Sequence, residues 1–534
     1  MILNKALKIF IASCLLFGAL SLASCGEDKT LPNDTPNTDN NGGNTGDEGG
    51  DNGGNEGNEG DNEGGNNGGN EGGENEGGEN EGGEGDNPTP TPPVEWGDER
   101  AYVFDMESLP EIHISVPLDE WNRLLDEYDR DPNTAEYIHC DTKIWLKGTT
   151  YTIKDAGLRL RGNTSRRRPE AGNSHHVANK ADWQHCHFML NLRKYVKDDE
   201  HSLRGVRKIH LKWFKDDPAY CREIYSYDLF RRFGVWTAAE SSYCRLWVHV
   251  EGDTNEAYYG VYGMYEPIDD RFLKWRKDKF ENHKGYLWKC AWGASLNYDR
   301  DRNCNIGYDD GYDHVYELKE AEESDLPNAK AQLLHFMKQL RDLQGTALHD
   351  WLGQTIDIEL LLRTYATNVV LGMWDDYWNN MNNYYIYFNS TDTSNYKFYF
   401  LPYDYDNTLG TSNNCGVQSD AARHDPLNWG DTNTSPLIGK ILQFSDYRKI
   451  YVDALNELCA SSGPFYYTTS IARIKQWHAL IGNYIDNDTG EDTRIKDRPA
   501  SWGNHYEYRL WEVTEASGSY PNYFRVKAAS IPKQ

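Results

Sequence analysis

Hydrophobic and polar residues alternate in short runs through the first part of the folded region. Ile112–Val116 reads as a half-buried strand, and Leu118–Tyr128 as a short amphipathic helix with Trp121, Leu124 and Leu125 on one face. Lys143–Lys147 and Tyr151–Ile153 flank Gly148-Thr149-Thr150 as a hairpin. Gly157–Arg161 is another strand, ending at Gly162-Asn163-Thr164-Ser165, and Phe188–Leu192 and Lys208–Trp213 continue the sheet. Cys221–Phe233 predicts a helix stopped by Gly234. Two more strands follow, around Arg245–Val250 and Tyr259–Tyr265.

The period then lengthens. Asn328–Leu343, Ile358–Leu371, Leu437–Leu458 and Tyr467–Ile485 carry helical spacing, interrupted by a hairpin-like pair, Tyr384–Phe388 and Lys397–Leu401. A strand-rich first part followed by a helix-rich second part is an α+β plan.

The N-terminal end has a different pattern. Lys5 and Lys8 precede the apolar run Ile9–Leu22, which ends in Leu22-Ala23-Ser24-Cys25. That run is short for a membrane span and fits a signal peptide, residues 1–24. Small residues before a cysteine resemble a bacterial lipobox, which implies lipidation of Cys25 and a membrane anchor made by acyl chains alone. Residues 25–93 are mainly Gly, Asn, Glu, Asp, Thr and Pro. With no apolar surface to bury, such a segment is expected to be a disordered acidic tether. The folded domain is then 94–534. A Cys-Gly-Glu-Asp start is similar to the acidic signal of Bacteroidetes lipoproteins sent to the outer cell surface. The expected location is therefore the outer membrane and cell surface of an exporting bacterium.

Charge follows the same partition. The stretch Gly26–Pro93 holds 18 acidic residues and one lysine, so most of the net charge of −29 belongs to the tether. An acidic chain of this kind argues against a nucleic-acid partner. Eight cysteines lie beyond Cys25, widely spaced and without a CxxC pair, which does not indicate a disulfide scaffold, although an exported protein could form a few bridges.

Three segments carry candidate chemistry. Asp404-Tyr405-Asp406 follows the strand ending at Leu401. Alternate strand residues share a face, so both carboxylates are expected on one side, where their repulsion calls for a hard cation such as Mg²⁺ or Mn²⁺. Trp374–Tyr384, upstream, is dense in Asp and Asn, a composition suited to a base and a second metal ligand in phosphoryl transfer or to a simple Asx turn. The strand end Arg159-Leu160-Arg161-Gly162-Asn163-Thr164-Ser165 has arginines and a small polar turn able to hold phosphate. The cluster His175, His176, His185, Cys186, His187 fits no zinc spacing and reads as a solvated loop. Asp299–Asn303 begins like a calcium loop, but Cys304 stands where glycine is required, so a surface loop is expected.

Taken in order, Arg159–Ser165, Tyr259–Glu266, Asp376–Tyr387 with its Asn383-Tyr384-Tyr385-Ile386-Tyr387, and Pro402–Gly410 resemble the CotH family of spore-coat and secreted atypical protein kinases. The resemblance implies a divergent, two-lobed kinase-like fold that binds ATP with Mg²⁺ or Mn²⁺. It also implies roles. Asp404 and Asp406 would hold metal, with Asn383 as a supporting ligand. Asp376 or its neighbour Asp375 would be the base-like residue. Arg159, Arg161 and Ser165 would lie at the phosphate-binding turn. Glu266 would pair with a nucleotide-binding cation, Lys212 or Lys289. The implied activity is phosphate transfer from ATP to a protein or other extracytoplasmic acceptor. The alternative is an inactive kinase-like surface scaffold that binds glycan or protein. A hydrolase with opposed carboxylates fits less well, because residues at i and i+2 sit too close together.

Overall fold

Two units divide the chain, Met1–Pro92 and Pro93–Gln534. The computed structural model describes residues 98–163, 165–198, 200–215, 217, 219–308, 314–410, 421–485 and 522–532, all in the second unit. The signal, Cys25 and the tether lie outside the described residues.

Seven strands form the first half: β1 (Glu111–Val116), β2 (Ile138–Leu146), β3 (Thr149–Arg161), β4 (His187–Asn191), β5 (Lys208–Lys212), β6 (Ser241–Val250) and β7 (Ala257–Tyr265). They close into a barrel in the order β1-β2-β3-β4-β5-β7-β6, sealed where β1 runs parallel to β6. The residues read as a hairpin followed by a separate strand are one longer pair, β2 and β3. Its turn is Lys147-Gly148, both at positive φ, the two-residue geometry that matches strand twist. Alternation places Ile112, Ile114, Ile144, Leu158, Leu190, Ile209, Leu211, Leu246 and Val248 in one apolar core. The helix Leu118–Arg130 adds Trp121, Leu124 and Leu125 to that core.

The second half holds a five-stranded sheet as well as helices. Its order is β12-β11-β8-β10-β9, built from β8 (Tyr286–Cys290), β9 (Ile306–Tyr308), β10 (Tyr316–Lys319), β11 (Tyr384–Phe388) and β12 (Phe398–Pro402). The hairpin β11–β12 was readable in the chain, but β8, β9 and β10 were not. They are three to five residues long, and β8 is buried at four of its five positions, so no period marks it. The expected helix Leu437–Leu458 is two helices, Leu437–Leu442 and Ser445–Cys459, broken at Gln443-Phe444. The helix Ile358–Leu371 is buried at twelve positions. It starts at the Asp357 cap, whose carboxylate accepts the Leu360 N–H at 3.0 Å, and ends at left-handed Gly372.

The fold is thus α+β, and the strands read as a sheet in the first part close into a barrel. Two other readings change. Of the His cluster, His176, His185 and His187 are buried, not solvated. His176 lies between Glu170 and Asp253, and His185 stacks on Trp213. Asp301 is also buried, accepting the Ser295 N–H and the Tyr316 hydroxyl, so Asp299–Asn303 is not a simple surface loop. Among the described residues every cysteine is a free thiol, no group of His, Cys, Asp and Glu forms a ready-made metal cage, and no helix is long and apolar enough to cross a membrane.

Candidate functional site

Strand β5 puts Ile209 and Leu211 into the barrel core, which turns His210 and Lys212 to the other face. Lys212 is buried there against the second half of the domain. Its Nζ lies 2.5 Å from Asp404 Oδ1, 2.6 Å from Glu223 Oε2 and 3.8 Å from Asp406 Oδ2. Burial disfavours the ammonium, but Asp404 and Glu223 outweigh it and hold the Lys212 pKa above its ordinary value.

Glu223 occupies the first turn of the helix Arg222–Arg232, where the helix dipole favours a carboxylate. Asp217 anchors that helix end by accepting the N–H groups of Cys221 and Arg222, both at 2.9 Å. Arg222 in turn donates from Nε to the Thr408 carbonyl at 3.1 Å, tying the helix to the chain just past Asp406. Burial raises the Glu223 pKa, against the pull of Lys212.

Asp404 and Asp406 do converge, but not by strand alternation. Strand β12 ends at Pro402, and Asp404 is left-handed at φ +59°, a conformation Asp tolerates better than most residues. Its N–H donates to the Tyr227 hydroxyl at 3.0 Å. Tyr405 turns inward, its hydroxyl donating to Asn368 at 2.8 Å. The two carboxylates are shifted in opposite directions. Burial opposes the Asp404 charge, yet Lys212 and Arg161 hold its pKa below the ordinary value. Asp406 is pushed well up, by enclosure in protein and by repulsion from Asp404, Glu223 and Asp375.

The doubled Asp and Asn residues separate by direction. Asp376 is buried and caps the turn Tyr377–Asn380, accepting the Asn379 N–H at 2.7 Å and the Asn368 amide at 2.6 Å. Burial pushes its pKa up to about 7. Asp375 faces the acidic cluster. Its carboxylate accepts amide hydrogens from Asn380 at 2.6 Å and from Asn382 and Asn383 at 3.0 Å. Burial raises its pKa, as does the field of Asp404, while the three amides work against them.

The remaining candidates divide. Arg161 joins the site, donating to the Tyr403 hydroxyl at 2.9 Å. Lys289 on β8 lies 3.8 Å from Glu317 and helps lower the Asp404 pKa. Arg159 donates to the Leu160 carbonyl and covers the Tyr137 ring, so its contacts lie away from the acidic cluster. Ser165 packs against left-handed Gly162 in a turn that Arg166 braces through the Gly162 carbonyl at 3.0 Å. Glu266 does pair with cations, but with Arg276 at 2.7 Å and Arg100 at 3.3 Å, not with Lys212 or Lys289. The reason is alternation: Tyr265 lies beside Lys212, so the next residue turns away. The carboxylate that sequence reasoning missed is Glu223. An acidic residue in the first turn of a predicted helix was its signal, but nothing local connects it to a lysine eleven residues earlier.

The family model described as CotH kinase protein matches residues 158–515, a span that runs from the end of β3 through the acidic cluster. The chain belongs to the CotH family. It is also similar to spore coat protein homolog 1 of Rhizopus delemar, with 26% identity over 328 residues. That alignment covers 59% of this chain and 45% of the relative, so the chain spans less than half the length of the curated protein it matches. Within the CotH match fall Arg159, Arg161, Ser165, Lys212, Glu223, Glu266, Lys289, Asp375, Asp376, Asn383, Asp404 and Asp406.

Proposed function

We propose that this CotH-family chain is an exported, kinase-like phosphotransferase that moves the terminal phosphate of ATP to a protein or other extracytoplasmic acceptor. The observation that carries the reading is Lys212 held between Glu223 and Asp404 at 2.6 and 2.5 Å. Protein kinases use a strand lysine fixed by a helix glutamate to hold phosphates, and an aspartate beyond a hairpin to hold metal. Here the barrel supplies the lysine, the helix Arg222–Arg232 the glutamate, and the turn after β12 the aspartates. That arrangement supports a two-lobed kinase-like reading of the domain.

The donor set suits a hard cation. Asp404, Asp406 and Asp375 are oxygen donors, and the Asp406 pKa is raised first by burial and then by the negative charge of Asp404, Glu223 and Asp375, against the pull of Lys212. Asp404 and Asp406 would hold Mg²⁺ or Mn²⁺, with the Asn383 amide oxygen in support. The ion would neutralise phosphate charge. Lys212 and Arg161 bind and orient the triphosphate, and Glu223 keeps Lys212 aimed. Asp375, oriented by three amides, accepts the proton of the acceptor hydroxyl. Asp376 holds the loop in shape from behind.

The leader and Cys25 support an exported lipoprotein tethered to the outer membrane by acyl chains. The test of the activity is direct. Full-length protein is incubated with γ-labelled ATP and Mn²⁺, and label is followed into protein. Transfer is expected, and its loss in Asp404→Asn and Lys212→Met. No transfer together with no ATP-induced thermal shift would instead favour the scaffold reading, in which Lys212 serves to neutralise buried carboxylates.

A further inference from the structure

An exposed indole stands two hydrogen bonds from Asp375. Trp292 is 67% exposed, the most open of the large hydrophobic side chains among the described residues. Leaving that much apolar surface in water is unfavourable. Yet the ring is held in place. Its Nε1 donates to Asn380 Oδ1 at 3.3 Å, and Asn380 Nδ2 donates to Asp375 Oδ1 at 2.6 Å. The next residue, Gly293, is left-handed at φ +101°, and its N–H donates to the Met381 carbonyl at 3.0 Å. The indole N–H is therefore engaged, and the ring surface is what remains for a ligand.

The surroundings select the kind of ligand. The other exposed large hydrophobics belong to the barrel half: Leu118 to its helix, Trp145 to β2 and Val177 to the segment between β3 and β4. Trp292 is bonded instead to the Asn380 amide, which donates to the Asp375 carboxylate, and Asn382 and Asn383 donate to that same carboxylate. An apolar peptide stretch would need further apolar contacts. An acidic ligand that brings no cation of its own would meet the repulsion of the Asp375 carboxylate. A neutral sugar ring meets neither obstacle: its C–H face packs on an indole and its hydroxyls bond to amides.

We propose that Trp292 is a carbohydrate-binding platform that presents a sugar hydroxyl to Asp375. The proposal rests on the kinase-like reading for its chemistry. In that step the hydroxyl proton passes to the Asp375 carboxylate and the sugar oxygen forms a bond to the γ-phosphorus of ATP. The bond from that phosphorus to the bridging oxygen breaks, and ADP leaves with the electron pair. Asp375 then releases its proton to water.

The test uses full-length protein and three neutral hexasaccharides, maltohexaose, cellohexaose and chitohexaose, followed by saturation-transfer NMR and calorimetry. Saturation of ring C–H protons is expected for at least one. Trp292→Ala should weaken that binding about tenfold and Trp292→Phe by no more than roughly threefold. The Mn²⁺–ATP thermal shift should persist in both. Binding of none of the three, or equal binding by Trp292→Ala, overturns the proposal. So does loss of the ATP shift in Trp292→Ala, which would make the indole a platform for the nucleotide base. Label transfer to a serine peptide that depends on Trp292, without sugar binding, would also overturn it. Sugar binding through Trp292 without any ATP shift would leave the platform standing and remove the kinase-like reading.

Discussion

Lys212 on strand β5 and Glu223 at the start of the helix Arg222–Arg232 are joined by a 2.6 Å ion pair that is buried at both ends. The pair also touches Asp404, so the strand, the helix and the turn after β12 meet at a single ammonium group. Breaking a buried pair from one side leaves an uncompensated charge and typically costs about 3–5 kcal/mol. Lys212→Met is therefore expected to lower stability by about 3 kcal/mol and to abolish ATP binding. Urea unfolding with and without Mn²⁺–ATP checks both effects.

Glu266 gives the contrasting case. It is equally buried, but its partners are Arg276 and Arg100. Glu266→Gln should destabilise the domain by about 2–4 kcal/mol and leave ATP affinity unchanged at a temperature where the variant is folded. Glu223→Gln should do the reverse in emphasis, with a smaller loss of stability and a clear loss of nucleotide affinity. Calorimetric ATP titration of the two variants separates them.

Asp376 imposes a pH dependence. Its folded-state pKa is raised to about 7, from an ordinary value near 4 in the unfolded chain. Between those values the folded state binds the proton that the unfolded state has released. Stability from this group is complete below about pH 4 and is lost as pH rises through about 7. Asp376→Asn keeps a good capping side chain and removes the titration. Its unfolding free energy should be flatter than that of the parent between pH 4.5 and 7.5, as measured by urea denaturation across that range.

Gly372 ends the helix Ile358–Leu371 at φ +66°, and a Cβ there would come within 2.3 Å of the Tyr523 hydroxyl and 2.9 Å of Ala421 Cβ. Gly372→Ala combines left-handed strain with overpacking, so a loss of about 2–4 kcal/mol is expected. Thermal unfolding of the full-length protein measures it.

The pKa values of Asp404 and Asp406 are shifted in opposite directions, and their variants should differ too. Asp404→Asn removes the carboxylate nearest Lys212, and Asp406→Asn removes the one with the raised pKa. Both should weaken Mn²⁺-dependent label transfer by more than about tenfold, while Asp406→Asn should leave stability without metal unchanged or higher, because a crowded negative charge is gone. Transfer rates over a Mn²⁺ series, with unfolding in chelator, check the pair.

The residues that touch metal and phosphate in the proposed reaction were mostly legible as short motifs. Arg161, Asp375, Asp404 and Asp406 stand in local patterns of unusual composition. Choosing between Asp375 and Asp376 was not possible from the chain, since adjacent residues of one type differ only in direction. The partner of Lys212 was misassigned to Glu266 for the same reason: parity along β7 turns that side chain away, and parity is known only once the strand is docked.

Sequence alone determined the strand-then-helix order, the approximate places of the barrel strands and the acidic turn after β12, because periodicity and turn chemistry act over a few residues. Tertiary structure decided that the strands close into a barrel and that β8, β9 and β10 join the hairpin as one sheet. It also decided that Glu223, Asp404 and Asp406 meet at Lys212. Those outcomes depend on contacts between residues far apart in the chain, where burial and charge pairing, not local preference, set the lowest free energy.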